Sequence, residues 1–150
     1  MSMKSAAAAM EPDGEIRSEL ATLLGKDLSK IGHIRKHDDA VALLDVAMAV
    51  TGKNSNDAGK DLRCVFRRYP ELQQNMLKFK FPGRGQRDTP IVKLAKVIEI
   101  IMLLPGSTAA TLRLEAAKLI VRYLGGDLRL IDEVRHIRHV QEQLALQERI

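Results

Sequence analysis

The stretch Met76-Leu77-Lys78-Phe79-Lys80-Phe81-Pro82-Gly83-Arg84-Gly85-Gln86-Arg87-Asp88-Thr89-Pro90 decides between an all-helical chain and a mixed one. From Met76 to Phe81 apolar and basic residues alternate with the period of two that sends successive side chains to opposite faces of a strand. Pro82, Gly83 and Gly85 then punctuate a turn. The pattern predicts a strand entering a β-hairpin whose second arm is short, about 86–88. Thr89 as N-cap and Pro90 at the first helical position predict that a helix opens at once. A basic finger flanked by helices is the expected result.

Working outward, the flanks are helical in period. Ile16, Leu20, Leu23 and Leu24 form one stripe that stops at Gly25, and 31–36 is a short, loosely alternating stretch read as a possible strand before a turn at His37-Asp38-Asp39. Residues 41–51 carry Leu43, Leu44, Val46, Ala47 and Val50 at helical spacing and end at Gly52, a residue suited to a left-handed cap. Ser55 is the expected N-cap of a helix over 56–69, closed by Pro70. On that helix Leu62, Val65, Phe66 and Tyr69 project to one side, while Lys60, Arg63 and Arg67 share a narrow sector on the other. Downstream, 91–104 is apolar around most of the wheel and breaks at Pro105-Gly106. Ser107 is the expected cap of 108–124, whose stripe is Ala109, Leu112, Ala116, Leu119, Ile120 and Tyr123. Gly125-Gly126 ends it, and 128–150 repeats Leu130, Ile131, Val134, Ile137, Val140 and Leu144 with polar residues between. The expected fold is mainly α with a small β-hairpin (α+β): a compact helical domain of five to six helices over 15–127, a disordered leader at 1–14, and a C-terminal amphipathic helix at 128–150 for oligomerisation or linkage.

Composition narrows the function classes. The chain has 150 residues, 45% hydrophobic and 29% charged, which is globular usage. A single cysteine, Cys64, excludes an intrachain disulfide and a multi-cysteine zinc cluster, so a reducing compartment, cytoplasm or nucleus, is expected rather than secretion. The longest nearly uncharged run, 97–111, is too short to span a bilayer, and no membrane partner is expected. The formal charge of +5 is unevenly placed: residues 53–96 hold 11 Lys and Arg against 4 Asp and Glu, while 1–52 and 97–150 are acidic by two and neutral. Such a concentration is either a solvated face or a polyanion site.

Signatures of catalysis and metal binding are weak. His136 and His139 lie three apart on a helix beside Glu133 and Glu142, but no further His or Cys completes a site, so a solvated face is the favoured reading and no metal is expected. Neither Gly83-Arg84-Gly85-Gln86-Arg87 nor Gly52-Lys53-Asn54-Ser55 has the spacing of a phosphate-binding P-loop. Cys64 has no histidine close in sequence to act as a base and reads as a buried structural cysteine. No nucleophile with an orienting partner is visible, so neither enzyme activity, nor a cofactor, nor a small-molecule substrate is expected.

The order of parts resembles a known superfamily. The residues that carry the resemblance are Val41-Ala42-Leu43-Leu44-Asp45-Val46 with Thr51-Gly52-Lys53, Phe79-Lys80-Phe81-Pro82-Gly83, Thr89-Pro90-Ile91-Val92, and the run from Ile100 through Leu104-Pro105-Gly106-Ser107-Thr108-Ala109-Ala110 to Arg113. With Ala116 to Leu124 and Gly125-Gly126-Asp127, this pattern over roughly residues 34–130 resembles the BRO-N and KilA-N superfamily, N-terminal modules of phage antirepressors and of proteins of large DNA viruses. The resemblance implies a small α+β domain that binds DNA in viral or phage gene regulation, with no enzyme activity.

Two functions are therefore expected. In the first, duplex DNA is contacted by Lys60, Arg63 and Arg67 on a helix and by Lys78, Lys80, Arg84, Gln86 and Arg87 on the hairpin, with Arg84 and Arg87 able to pair with guanine and Gln86 with adenine. Phe79 and Phe81, alternating with lysines, are candidate stacking platforms, although duplex DNA is preferred over single strands. In the second, the chain is an interaction module, a homodimer through Ile131, Val134, Ile137, Val140 and Leu144 of the C-terminal helix, which supply about two heptads with a polar interruption.

Overall fold

Asp88–Lys93 is a strand throughout, not the end of a hairpin arm followed by a helix start. The computed structural model describes residues 16–25, 33–83 and 87–148. The expected leader at 1–14, Ile31 and Gly32 of the expected strand, and the hairpin tip with Arg84 and Gln86 lie outside the described residues. Among those described, strands β1 (Lys36–His37), β2 (Ala40–Ala42), β3 (Leu77–Lys80) and β4 (Asp88–Lys93) form one antiparallel sheet in the order β1-β2-β4-β3.

The Thr89-Pro90 signal fails for a tertiary reason. Pairing with β3 (Phe79 opposite Thr89, Leu77 opposite Ile91) and with β2 (Val41 opposite Val92) offers this β-branched run backbone partners on both sides, and pairing outweighs a local capping preference. Pro90 is tolerated because β2 ends opposite Ile91, so Pro90 has a paired strand on one side only. The expected early strand is displaced as well. Lys36 and His37, not 31–36, pair back onto Val41 and Ala40 across a two-residue turn, with Asp38 at φ 54°. Asp is among the few non-glycine residues that tolerate that region.

Each inner strand feeds straight into a core helix: β2 into α2 (Leu43–Thr51) and β4 into α4 (Leu94–Ile101). The helix expected over 41–51 thus surrenders its first two residues to the sheet. In α2, Leu43, Val46, Ala47 and Val50 are buried, and Gly52 ends the helix at φ 70°, its N–H donating to the Met48 carbonyl at 2.9 Å. This is the left-handed cap the sequence predicts. Helix α3 (Ser55–Arg68) packs on α2 through Ala58, Leu62 and Val65. Its N-cap is Asn54 rather than Ser55, because the Asn54 side chain accepts from the Asp57 N–H at 2.9 Å. A 3-10 turn (Pro70–Gln73) leads on to β3.

Helix α1 (Ile16–Leu24) buries Ile16, Leu20 and Ala21, and it packs against α5 (Ser107–Leu124) and α6 (Arg129–Glu148). Within α5 the core ends early. Ala109 and Leu112 are buried, but Leu119, Ile120 and Tyr123, expected on the same packed stripe, are each more than half exposed. The core that α5 enters is bounded by α2 and α4, and the second half of its 18 residues runs past that boundary. Among the described residues six α-helices accompany the small sheet, the mainly-α architecture expected. None of these helices is long and apolar enough to cross a membrane.

Ile100 is fully buried, whereas Ile120 is 57% exposed. Ile100→Ala is expected to destabilise the fold by about 2–5 kcal/mol through lost burial and the cavity left behind. Ile120→Ala should stay within about 0.5 kcal/mol in a single copy. Chemical denaturation of both variants checks the contrast.

Candidate nucleic-acid interface

The cationic side of α3 is solvent-facing as the wheel requires: Lys60, Arg63 and Arg67 are exposed, and Arg68 joins them. The opposite stripe is packed at Leu62 and Val65 and partly at Phe66, while Tyr69 emerges to 38% exposure. Cys64 is exposed, which corrects the expectation of a buried cysteine. The reason is angular: four residues on from Lys60, Cys64 shares the cationic face rather than the packed one.

On β3, Lys78 and Lys80 are two apart, hence on one face, and both are exposed; Arg87 is exposed at the mouth of the turn. Three other cations of the basic third are tied down, Lys53 to Asp61 at 2.8 Å, Lys93 to Asp39 at 3.6 Å and Lys96 to Glu99 at 3.7 Å. By contrast Lys60, Arg63, Arg67, Arg68, Lys78, Lys80 and Arg87 form no ion pair among the described residues. The α3 set and the β3 set are separated in sequence only by the 3-10 turn, which packs on α3.

Sequence reasoning missed a ladder of rings that anchors the hairpin. The His37 and Phe79 rings stack with centroids 3.8 Å apart, Phe79 meets Phe81 edge-on at 4.9 Å, and the Arg35 guanidinium lies 5.0 Å from the Phe81 centroid. These residues come from the two outermost strands and their continuations, so the four-stranded sheet must curl to bring them together. Arg35 is itself fixed: its guanidinium donates to both Asp45 carboxylate oxygens, at 2.9 and 3.1 Å, and its backbone N–H donates to Asp45 at 2.9 Å. The hairpin is thereby sutured to α2. The only signal in the sequence was the i, i+2 spacing of Arg35 with His37 and of Phe79 with Phe81. Both rings expected as stacking platforms are occupied by protein partners on at least one side, which disfavours a run of stacked bases.

Two further arginines hold elements in place. The Arg113 guanidinium donates to the carbonyls of Met102 and Leu104, at 2.6 and 3.4 Å, satisfying acceptors at the end of α4. Between α5 and α6, Asp127 accepts from Arg122 at 2.9 Å and from Arg129 at 2.8 and 3.0 Å, with a further bond from the Arg129 backbone N–H at 3.0 Å. Arg122 also pairs with Glu133 at 2.6 Å. The bonds from Arg129, then those from Arg122, hold the Asp127 carboxyl well below the usual carboxylate range.

The interface residues expected on the last helix sit in the open: Ile131, Val134, Ile137 and Val140 are 39–60% exposed, and α6 has no buried residue among those described. The Leu144 side chain lies outside the described residues. His136 and His139 are exposed, and no group of three or more His, Cys, Asp or Glu is gathered for a metal among the described residues. Neither protein-family models, nor curated proteins, nor solved structures match this chain.

A carboxylate whose folded-state pKa is depressed contributes stability that is present at neutral pH and is lost as pH falls through the folded value. Asp127 should therefore remain ionised, in a pH titration followed by carboxyl-carbon NMR, below the range where an ordinary aspartate protonates. Asp127→Asn should lower stability at pH 7, and the difference should shrink as the pH falls below the range where an ordinary aspartate protonates, as denaturation over a series of falling pH values would show.

Proposed function

We propose that this chain is a non-enzymatic module that holds duplex DNA through the basic face of α3 and the basic hairpin. One observation carries the reading: seven exposed cations between residues 60 and 87 have no internal counter-charge among the described residues, so their potential is available to an outside polyanion. The resemblance to the BRO-N and KilA-N superfamily supports the same reading and adds viral or phage gene regulation as the setting. Exchange of condensed counterions for these side chains drives the association, and the engaged Phe79 and Phe81 rings favour a duplex over stacked single strands. Arg84, Gln86 and Arg87 are the residues assigned to base edges, the lysines and the α3 arginines to phosphates.

A second reading, an interaction module, is favoured by α6, a helix of 20 residues with none buried among those described. The two are compatible, since a dimer doubles the DNA contacts.

Fluorescence anisotropy against a mixed-sequence duplex, titrated at several salt concentrations, tests the first reading. With six phosphate contacts log K is expected to fall with log salt at a slope of about −5. Arg63→Glu with Arg67→Glu should abolish binding without altering oligomeric state. Absence of binding at low salt overturns the assignment.

A further inference from the structure

A helix of 20 residues with no buried side chain among those described lacks much of its usual source of stability, because most helices in proteins are held by packing of an apolar face. Helix α6 has apolar residues, and apart from its contact with α1 they stand largely exposed, Ile131 at 49% and Val134 at 60%. Together with the outer half of α5 it walls an open cleft of about 740 Å³, lined by Leu119, Ile120, Tyr123, Leu128, Ile131 and Val134. These six side chains are between 49 and 76% exposed. The corner that shapes the cleft is rigidified by the Arg122, Asp127, Arg129 and Glu133 network, so the two walls are set before any partner arrives.

We infer that this cleft is occupied by α6 of a second copy of the same chain, in a two-fold contact. The inference rests on the interaction-module reading and is independent of DNA binding. Three observations select a second copy.

The first is area. Six large side chains left at half to three-quarters of their full exposure present roughly 600 Å² per copy, the upper end of what a monomer ordinarily leaves in one apolar patch. Two copies could bury up to roughly 1,200 Å² through these residues, the lower edge of the range of a stable specific interface.

The second is self-complementarity. Val134 and Ile137 share a face of the same helix that walls the cleft, so each copy carries both a ridge and the groove that an isologous contact requires.

The third is charge. The basic excess of the chain lies in 53–96, whereas 97–150 carries equal numbers of Lys plus Arg and Asp plus Glu, so these segments meet without like-charge repulsion. Asp132 and Arg135, opposite in sign and three residues apart on α6, have no ion pair among the described residues, and a two-fold contact can pair them reciprocally.

Sedimentation equilibrium of the full chain at micromolar concentrations is the test, beside Leu128→Asp with Val134→Asp. Both replaced side chains are exposed in a single copy, so far-UV circular dichroism should show the fold retained. The wild-type chain is expected at twice its monomer mass, and the double variant should self-associate roughly a hundredfold more weakly or worse. A wild-type dimer that the double variant leaves equally tight overturns the cleft as the contact. A wild-type monomer at every concentration overturns the second copy as occupant, and hydrogen exchange then separates the two failures. Unprotected α6 amides leave the arm free for a different partner, whereas amides protected in the monomer remove the interaction-module reading too.

Discussion

The burial of α2 is the constraint on which the other elements depend. Nine residues long and preceded directly by the buried strand β2, it contacts α3, α4, α5 and β4, and its Leu43, Val46, Ala47 and Val50 supply the centre of the core. Because β2 has no loop before α2, the position of the helix fixes the strand, and the strand fixes β4 alongside it. From β4 follow the register of β3 on its far side and the start of α4. The basic hairpin is thus an outgrowth of the core rather than an appendage: its base is the pairing that buries Ile91 and Val92.

Arginines in this chain divide into two groups with different physics. Arg35, Arg113 and Arg122 are spent internally, on the Asp45 carboxylate, on the carbonyls that end α4, and on Asp127 with Glu133. Their planar guanidinium makes two or more directed bonds at once, which suits them to joining separate elements. Those of α3 and the hairpin mouth are exposed and form no ion pair among the described residues. Where positive charge is available to a partner is therefore decided by which cations lack an internal acceptor, a distinction that net charge does not carry.

The apolar residues divide likewise. Ile100 and Ile120 both lie on helices rich in apolar residues, yet one is sealed in the core and the other stands in solvent, because the core bounded by α2 and α4 closes at Leu112. Past that point the outer half of α5 and the whole of α6 present an apolar surface that their own domain covers only where α1 leans on them. The exposed cations of α3, β3 and Arg87 and the exposed apolar residues of 119–134 do not share an element.

Local sequence alone determined the helical stripes, the Gly52 cap, a strand within 76–81 and the location of the basic excess, because each depends on neighbours within one or two turns of chain. The opposite sectors of Lys60, Arg63 and Arg67 against Leu62 and Val65 were legible for the same reason: a helix wheel needs only the helix. Tertiary structure alone decided the rest. It turned Thr89-Pro90-Ile91-Val92 from a helix start into a strand, since hydrogen bonding to β2 and β3 outweighs a capping signal. It moved the first strand onto Lys36 and His37. It drew His37, Phe79, Phe81 and Arg35 together across a curled sheet, whereas the i, i+2 spacings state only which two residues of each strand share a face. It left Leu119, Ile120 and Tyr123 uncovered, because the periodicity of a stripe states which face of a helix is apolar, while the extent of the core facing it depends on elements distant in sequence.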